Sequence, residues 1–217
     1  MPTNLRPAPT RRNLLAGRVA ASAPAAPRIQ VAATGPRWGM VVDVASCTGC
    51  QACTVACTDE NALPPGAQRN LAAVTEHARG DSVRLTLLPR LCAHCAAAPC
   101  IPACRTGAIV QRPDGIVLTT EAACTGCGDC VAACPFGARR IAPDTGTADA
   151  CTFCAHRVDA GLSPACVEIC PTGALLFGDL NAPGSPPNRA LATRPARTLQ
   201  PQNAAPQLFY LGLDGEG

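Results

Sequence analysis

Sixteen cysteines, arranged in four groups of four, constrain the fold of this 217-residue chain more than any other feature. Groups one and three share the spacing C-x2-C-x2-C-x3-C, group two has C-x2-C-x4-C-x3-C, and group four has C-x2-C-x11-C-x3-C. No cysteine falls outside these groups, so one kind of chemistry should explain all of them. In chain order the groups are Cys47, Cys50, Cys53, Cys57; Cys92, Cys95, Cys100, Cys104; Cys124, Cys127, Cys130, Cys134; and Cys151, Cys154, Cys166, Cys170.

Disulfides and zinc are the alternatives to iron–sulfur ligation. An even number of cysteines suits disulfides in a secreted chain, but closely spaced triplets leave little room for unstrained disulfide partners. Zinc ligands usually come as two separated pairs. The spacing of groups one and three is instead typical of bacterial ferredoxins, in which the fourth cysteine binds the other cluster of a pair. The spacing therefore favours four 4Fe-4S clusters, in two pairs that exchange their fourth ligands.

An internal repeat follows three of the groups, as Cys104-Arg-Thr-Gly-Ala, Cys134-Pro-Phe-Gly-Ala and Cys170-Pro-Thr-Gly-Ala. Repeats of this kind are expected of stacked half-ferredoxin units. The chain has only four Phe, one Trp and one Tyr, so large side chains for a hydrophobic core are scarce. We therefore expect the clusters and their ligands to occupy the interior.

The pattern of short apolar segments predicts an α+β fold of two ferredoxin-like dicluster modules, with long loops and few regular elements. Predicted elements are strands at 38–44, 83–91 and 175–180, a β-hairpin within 108–120, a helix around 70–79, and a surface-running tail over 181–207. The expected domains are a disordered or signal-like leader (1–36), one module of 37–91 plus 147–180 (groups one and four), a second module of 92–146 (groups two and three), and an extended tail (181–217).

Several classes of function are disfavoured by the sequence. No apolar run is long enough for a transmembrane helix, and the basic residues are too dispersed for a nucleic-acid-binding surface. No glycine-rich phosphate-binding motif is present, so a bound nucleotide or flavin is not expected. Arg11-Arg12 resembles a twin-arginine export signal, so we expect the protein on the periplasmic side of the cytoplasmic membrane. The alternative is a disordered arm that docks on the partner, in a protein associated with the cytoplasmic membrane.

The motifs resemble those of one known family. Trp38-Gly-Met-Val-Val-Asp-Val, Cys47-Thr-Gly-Cys-Gln-Ala-Cys-Thr-Val-Ala-Cys, Cys151-Thr-Phe-Cys-Ala-His-Arg-Val and Phe177-Gly-Asp-Leu-Asn are similar to segments of the four-cluster electron-transfer (beta) subunits of molybdopterin oxidoreductases. The branch that they most resemble contains the dimethyl sulfoxide, polysulfide and tetrathionate reductases. The resemblance extends over residues 37–213.

This resemblance implies a ligand set for each cluster. It implies a first cluster, nearest the catalytic subunit, on Cys47, Cys50, Cys53 and Cys170, and a second on Cys57, Cys151, Cys154 and Cys166. It implies a third cluster on Cys92, Cys95, Cys100 and Cys134, and a fourth, nearest the membrane, on Cys104, Cys124, Cys127 and Cys130. Nitrate reductase beta subunits carry Trp in place of one cysteine of group three, whereas Cys127 is present here, so four cubanes are expected.

The resemblance also implies a function without catalytic residues. The chain would relay electrons between a quinone-reactive, multi-span membrane subunit and a molybdopterin-containing catalytic subunit. Alternatives are a free polyferredoxin or accessory assembly protein, and a structural zinc protein. Arg139, Arg140 and Arg157 are candidates for tuning the anionic clusters, with a solvated surface role as the alternative for each. His94 and His156 lie next to cysteines and are expected to pack near the clusters rather than to bind iron.

Overall fold

The computed structural model describes residues 35–79, 82–199 and 202–213. Within these ranges the chain forms short helices and strands joined by long connections, which confirms the mixed helix and strand class. The strands are β1 (Trp38–Asp43), β2 (Asn70–Arg79), β3 (Ser82–Leu91), β4 (Ile109–Gln111), β5 (Val117–Thr119), β6 (Arg140–Ile141), β7 (Ala148–Asp149), β8 (Leu175–Asp179), β9 (Ala196–Arg197) and β10 (Leu208–Leu211). The helices are α1 (Ala52–Glu60), α2 (Cys100–Ala103), α3 (Asp129–Ala132), α4 (Ala155–Asp159), α5 (Ala165–Glu168) and α6 (Pro186–Thr193).

A four-stranded sheet in the order β8-β1-β10-β9 joins distant parts of the chain. The central strand β1 runs antiparallel to β8, with Met40 opposite Phe177, and parallel to β10, with Met40 opposite Leu208. Met40, Val41 and Val42 are fully buried, as expected of a strand that is covered on both faces. The sheet therefore closes the fold, because β8, which follows group four, and β10 both pair with β1, which precedes group one.

The few aromatic side chains gather beside this sheet. Trp38 stacks on Phe177 with ring centroids 5.3 Å apart, and Phe177 meets Phe153 edge to face at 5.3 Å. Tyr210 is buried, and its hydroxyl donates a 2.9 Å hydrogen bond to the carbonyl of Pro89. Trp38, Phe153 and Phe177 thus form a compact aromatic cluster within a hydrophobic core whose other buried side chains are Ala, Cys and aliphatic residues.

The C-terminal segment also positions a cysteine loop. The backbone N–H of Gln207 donates to the carbonyl of Ala93 at 2.7 Å, and the N–H of Ala96 donates to the carbonyl of Ala205 at 2.8 Å. These bonds fix the group-two loop against the strand β10. Backbone groups of a loop need such partners when they are buried, so this contact explains how an irregular loop holds a defined shape.

The strands predicted at 38–44, 83–91 and 175–180 and the hairpin within 108–120 are confirmed as β1, β3, β8 and the β4–β5 pair. The helix predicted around 70–79 is wrong, because this segment is β2 and pairs antiparallel with β3 from Asn70 opposite Leu91 to Arg79 opposite Ser82. The backbone N–H and C=O groups of β3 need hydrogen-bond partners. The segment 70–79 pairs with β3 at ten positions, and the stabilisation from this pairing outweighs the modest helix propensity of that segment.

The segment after residue 180 is more ordered than a surface-running tail. It contains α6, which begins after Ser185, whose hydroxyl accepts from the N–H of Asn188 at 3.4 Å. Ser followed by Pro is a recognised helix-starting signal, and the sequence analysis overlooked it at Ser185-Pro186. In the parts of the chain that the structure describes, no helix is long and apolar enough to cross a bilayer. The predicted leader lies almost wholly outside these parts.

Candidate iron–sulfur centres

The last two cysteines of each group lie on a short helix or within two residues of its end. One helical turn rises about 5.4 Å, so the second cysteine of each pair is displaced from the loop of the first towards a neighbouring site. The helix α1 packs against α5, and α2 packs against α3. The pairs are Cys53 and Cys57 at α1, Cys100 and Cys104 at α2, Cys130 and Cys134 at α3, and Cys166 and Cys170 at α5.

The loops that precede two of these helices depend on glycine. Gly49 and Gly126, each within Cys-Thr-Gly-Cys, have φ values of +67° and +69°, a region that glycine adopts without a steric penalty. A Cβ atom at Gly126 would also lie 2.2 Å from the carbonyl oxygen of Gly146. These glycines let the loops bend tightly between successive cysteines.

Four cysteines from groups one and four line one buried cavity, here called cavity A. They are Cys57, Cys151, Cys154 and Cys166, each 5–7% exposed. Asn61, Arg69 and Asn70 also line cavity A. The amide of Asn61 donates to Sγ of Cys57 at 3.7 Å and to Sγ of Cys154 at 3.8 Å, so the protein already directs a hydrogen-bond donor at two of the four sulfurs.

A second cavity, here called cavity B, brings together cysteines from groups two and three. Its thiols are those of Cys92, Cys95, Cys100 and Cys134, and Phe136 and Arg139 complete part of its lining. The first three of these cysteines are 7–8% exposed. Each cavity thus combines three cysteines of one group with a single cysteine from another.

Cavities A and B are neighbours. Cys151 of cavity A lies within electrostatic range of Cys92 of cavity B. The ring of Phe153, two residues after Cys151, packs on His94 with ring centroids 3.8 Å apart. The two thiol-lined cavities are therefore adjacent.

The remaining eight cysteines lie outside cavities A and B. Seven of them are half-buried or exposed, whereas Cys130 is buried. Cys53 lies beside Cys57 and Cys166 of cavity A, and Cys130 lies beside Cys100 of cavity B. Cys50 and Cys127 are exposed. We call Cys47, Cys50, Cys53 and Cys170 outer set 1, and Cys104, Cys124, Cys127 and Cys130 outer set 2.

Burial makes the inner thiols difficult to ionise. It raises the pKa of Cys57 to about 11, with a further contribution from the neighbouring Cys154, and raises the pKa of Cys92 to about 11. The pKa of Cys95 reaches about 12, chiefly because of burial and then because of Cys92. Thiolates bind metal and thiols do not. Four buried thiolates in one cavity therefore need a positively charged core to hold them together.

The cavities fit an iron–sulfur core in their donor chemistry. Each offers four cysteine sulfurs, which is the usual ligand set of a 4Fe-4S cluster. All sixteen cysteines are free thiols in the structure. The side-chain amide of Asn70 lines cavity A and is 2% exposed. It lies beside the thiol of Cys53 and has no oxygen or nitrogen hydrogen-bond partner among the described residues. A buried amide without such partners is unusual, and a cluster sulfur would supply an acceptor.

Comparison with known proteins identifies the family. The model of the 4Fe-4S dicluster domain matches residues 83–180. The tetrathionate reductase B subunit of Salmonella typhimurium is 48% identical over 82% of this chain and 73% of its own length. The polysulfide reductase B subunit of Wolinella succinogenes is 38% identical over 81% of this chain and 94% of its own length. This protein belongs to the family of iron–sulfur electron-transfer subunits of these reductases. A putative dimethyl sulfoxide reductase iron–sulfur subunit of Halobacterium salinarum is a further member, 35% identical over 80% of this chain and 78% of its own length.

Membership of this family confirms two of the predictions made from the sequence. The chain is a 4Fe-4S electron-transfer subunit of a reductase complex, and it is not the catalytic subunit. The dicluster model covers groups two, three and four, while group one lies before residue 83. The match to the Salmonella relative spans most of the chain.

The two histidines near cysteines have different surroundings in this electron-transfer subunit. His94 is fully buried, and its Nδ1 accepts a 2.9 Å hydrogen bond from the N–H of Val117. Burial, with a contribution from Arg139, lowers the pKa of His94 to about 3, so the ring is neutral. His156 is half exposed and lies 2.8 Å from a carboxylate oxygen of Glu60. Neither histidine is among the residues that line cavities A and B.

The three arginines proposed as tuning residues also differ. Arg140 pairs with Asp149, and Arg157 pairs with Glu60 at 2.7 Å. Arg139 is 4% exposed and lines cavity B. Only Arg139 of the three combines burial with contact to a thiol-lined cavity.

Sequence reasoning overlooked Asn61 and Asn70. Asn61 follows Cys57 by one helical turn, and this spacing was a usable signal, because residues i and i+4 lie on the same helix face. Asn70 precedes the long hairpin and reaches cavity A only through the pairing of β2 with β3. No local pattern indicates that contact.

Proposed function

We propose that this chain relays electrons through four 4Fe-4S clusters between a quinone-reactive membrane subunit and a molybdopterin-containing catalytic subunit. The observation that carries the proposal is the arrangement of the cysteines. Cavities A and B are adjacent, and each is next to a cysteine of an outer set that contains one exposed cysteine, Cys50 in outer set 1 and Cys127 in outer set 2. An electron path needs insulated centres inside the protein and accessible centres at the ends. This arrangement of thiols supplies both.

Each cluster has its own ligand set in the proposal. Outer set 1 holds the first cluster and cavity A the second. Cavity B holds the third cluster and outer set 2 the fourth. When bound, each cluster accepts one electron and passes it on, and its reduction potential depends on burial, nearby charge and hydrogen bonds to sulfur. The protein contributes the burial of Cys57 and Cys92 and the amide of Asn61 at cavity A.

The two accessible ends suggest where the partners dock. Cys50 in outer set 1 and Cys127 in outer set 2 are the exposed cysteines. We propose that outer set 1 faces the molybdopterin subunit and outer set 2 faces the membrane subunit. Placement on the periplasmic side rests on Arg11 and Arg12, which lie outside the described residues, and is likewise part of the proposal.

Metal analysis of the anaerobically purified protein tests the number of clusters. We expect about sixteen iron atoms and sixteen labile sulfides per chain, because each 4Fe-4S cluster contains four of each. Zinc without sulfide would establish the structural zinc alternative. About eight iron atoms would reduce the relay to two clusters and would contradict the proposed path.

Purification of the tagged chain from its native host tests the partners. We expect a molybdopterin-containing subunit and a multi-span membrane protein to co-purify with it. A chain that purifies alone, and whose deletion leaves reductase turnover intact, would instead be a polyferredoxin or an assembly protein.

A hydrogen bond within the repeated motif predicts a shift in the potential of the first cluster. The hydroxyl of Thr172 lies 3.7 Å from Sγ of Cys170, and that of Thr106 lies 3.5 Å from Sγ of Cys104. Although burial opposes the effect, the Thr172 hydroxyl and nearby backbone N–H groups lower the pKa of Cys170. These donors stabilise negative charge on the sulfur, and reduction adds negative charge to the cluster.

Thr172→Val should therefore lower the reduction potential of that cluster by roughly 20–60 mV, the one-electron equivalent of a hydrogen bond worth about 0.5–1.5 kcal/mol. Redox titration followed by electron paramagnetic resonance measures the shift. Thr193→Val is the matched control, because the Thr193 hydroxyl donates to the carbonyl of Ala190 in α6. Equal potentials in both variants would show that the Thr172 hydroxyl does not act on the cluster.

A further inference from the structure

Arg139 is a buried cation at the wall of a thiol-lined cavity. Its side chain lines cavity B together with Cys92, Cys95, Cys100 and Cys134. The guanidinium also lies beside the thiol of Cys130, which belongs to outer set 2. Arg139 thus lies between the two cysteine sets that the proposed function assigns to the third and fourth clusters.

This cation has no protein counter-ion among the described residues. Its one side-chain hydrogen bond to oxygen or nitrogen is made to the hydroxyl of Thr119 at 3.2 Å, and its Nε has no partner there. A buried charge without a partner is strongly unfavourable. The residues present therefore favour a negatively charged group in cavity B. Four thiolates together with an iron–sulfur core carry a net negative charge and would be such a group.

Cavity A provides an internal contrast. Its lining arginine, Arg69, is paired with Asp149 at 2.6 Å and donates to the side-chain oxygen of Asn61 at 3.0 Å. Arg140, the sequence neighbour of Arg139, pairs with the other oxygen of Asp149. Asp149 is thus shared by Arg69 and Arg140 and compensates part of the positive charge at cavity A, whereas Arg139 at cavity B has no carboxylate partner among the described residues.

We propose that Arg139 raises the reduction potential of the cluster in cavity B, and to a smaller extent that of the cluster in outer set 2, relative to the cluster in cavity A. The inference rests on the proposed function, since it requires clusters at those sites. Reduction of a 4Fe-4S cluster adds one electron and no proton. A nearby positive charge in a medium of low dielectric constant stabilises that added electron. The potential of the relay thereby changes between cavities A and B.

Redox titration of the purified complex, followed by electron paramagnetic resonance, tests this role. Arg139→Gln should lower the potential of one cluster by at least 59 mV, which is a tenfold change in the ratio of reduced to oxidised cluster for a one-electron couple. A second cluster should shift in the same direction by less. Arg139→Lys, which keeps the charge, should retain most of the wild-type potential.

Arg105→Gln is the matched control for removal of one positive charge near a cysteine. Arg105 follows Cys104 directly, but its side chain is 88% exposed and lies 3.4 Å from Asp129. Water and this carboxylate screen its charge, so the potentials of the Arg105→Gln variant should match the wild type. A shift in Arg105→Gln as large as that in Arg139→Gln would overturn the claim that burial and an absent counter-ion give Arg139 its effect.

Iron content separates failure of this inference from failure of the proposed function. Four reducible clusters in the wild type, with unchanged potentials in an iron-replete Arg139→Gln variant, would overturn the role of Arg139 alone. Fewer than four clusters in the wild type would overturn the proposed function. If Arg139→Gln does not retain iron, the Arg139→Lys variant tests the role of the charge. A fully iron-loaded Arg139→Lys variant with the wild-type potential would support the electrostatic role. Loss of iron from both variants would overturn it.

Discussion

Removal of iron is expected to unfold this protein rather than to leave an empty folded shell. The walls of cavities A and B consist of cysteines, polar side chains and small apolar residues, with Phe153 in cavity A and Val117 and Phe136 in cavity B as the larger apolar side chains. Without a cluster, the walls of each cavity have no common core to pack against, and the buried thiols and the Arg139 guanidinium lose their interaction partner. Binding of a structural metal contributes about 10–16 kcal/mol in small metal-dependent domains, which is comparable to the whole stability of an ordinary domain, about 5–15 kcal/mol.

The measurement is circular dichroism and thermal unfolding before and after anaerobic treatment with an iron chelator. We expect most of the far-ultraviolet signal and the cooperative melting transition to be lost as iron is released. The same protein incubated without chelator is the control for slow inactivation. An iron-free chain that keeps its native spectrum and melting transition would show that side-chain packing alone sustains the fold.

Loss of one inner ligand is expected to interrupt the relay. Cys57 lies in α1 and lines cavity A, while Cys53, one turn earlier in the same helix, belongs to outer set 1. Cys57→Ala removes a thiolate from the proposed second cluster and, unlike a serine substitution, leaves no oxygen that could bind iron. Turnover driven by quinol should fall more than about tenfold, corresponding to at least about 1.4 kcal/mol in the effective barrier, because electrons must pass the damaged site.

Turnover driven by a small soluble dye, which can reduce the catalytic subunit directly, should remain close to the wild-type value in the same variant. Val55→Ala is the matched control, since Val55 lies on the same helix and is 68% exposed. Its quinol-driven turnover should be unchanged. Full quinol-driven turnover in Cys57→Ala, together with a measured loss of iron, would place cavity A outside the electron path.

The sequence correctly predicted the elements whose signal is local. The strands β1, β3 and β8 consist of short apolar runs, and the β4–β5 hairpin surrounds Pro113-Asp114-Gly115, a strong turn signal. The segment of β2 carries no such signal. Its residues Ala72, Ala73 and Val74 do not alternate between apolar and polar side chains, and they are compatible with a helix as well as with a strand. The pairing with β3 decides its conformation, and that information lies outside the segment.

The candidate site likewise combines features that local sequence predicts with features that depend on tertiary packing. Local spacing indicated which residues are candidate cysteine ligands and that each fourth cysteine serves a neighbouring site. It could not distinguish Arg139 from Arg140, which are adjacent in sequence and yet differ in their partners. Only the packing around cavity B leaves one of them buried without a carboxylate, while its neighbour pairs with Asp149.

The cysteine spacing was enough to predict the iron–sulfur chemistry of this protein, because cysteines three or four positions apart have their separation fixed by one loop and one helical turn. Which cysteines meet depends on tertiary packing. Cys57 lines cavity A with Cys151, and Cys134 lines cavity B with Cys92, through the packing of α1 on α5 and of α2 on α3. Contacts between residues so far apart in the sequence depend on the burial of all the elements together, and no single segment encodes them.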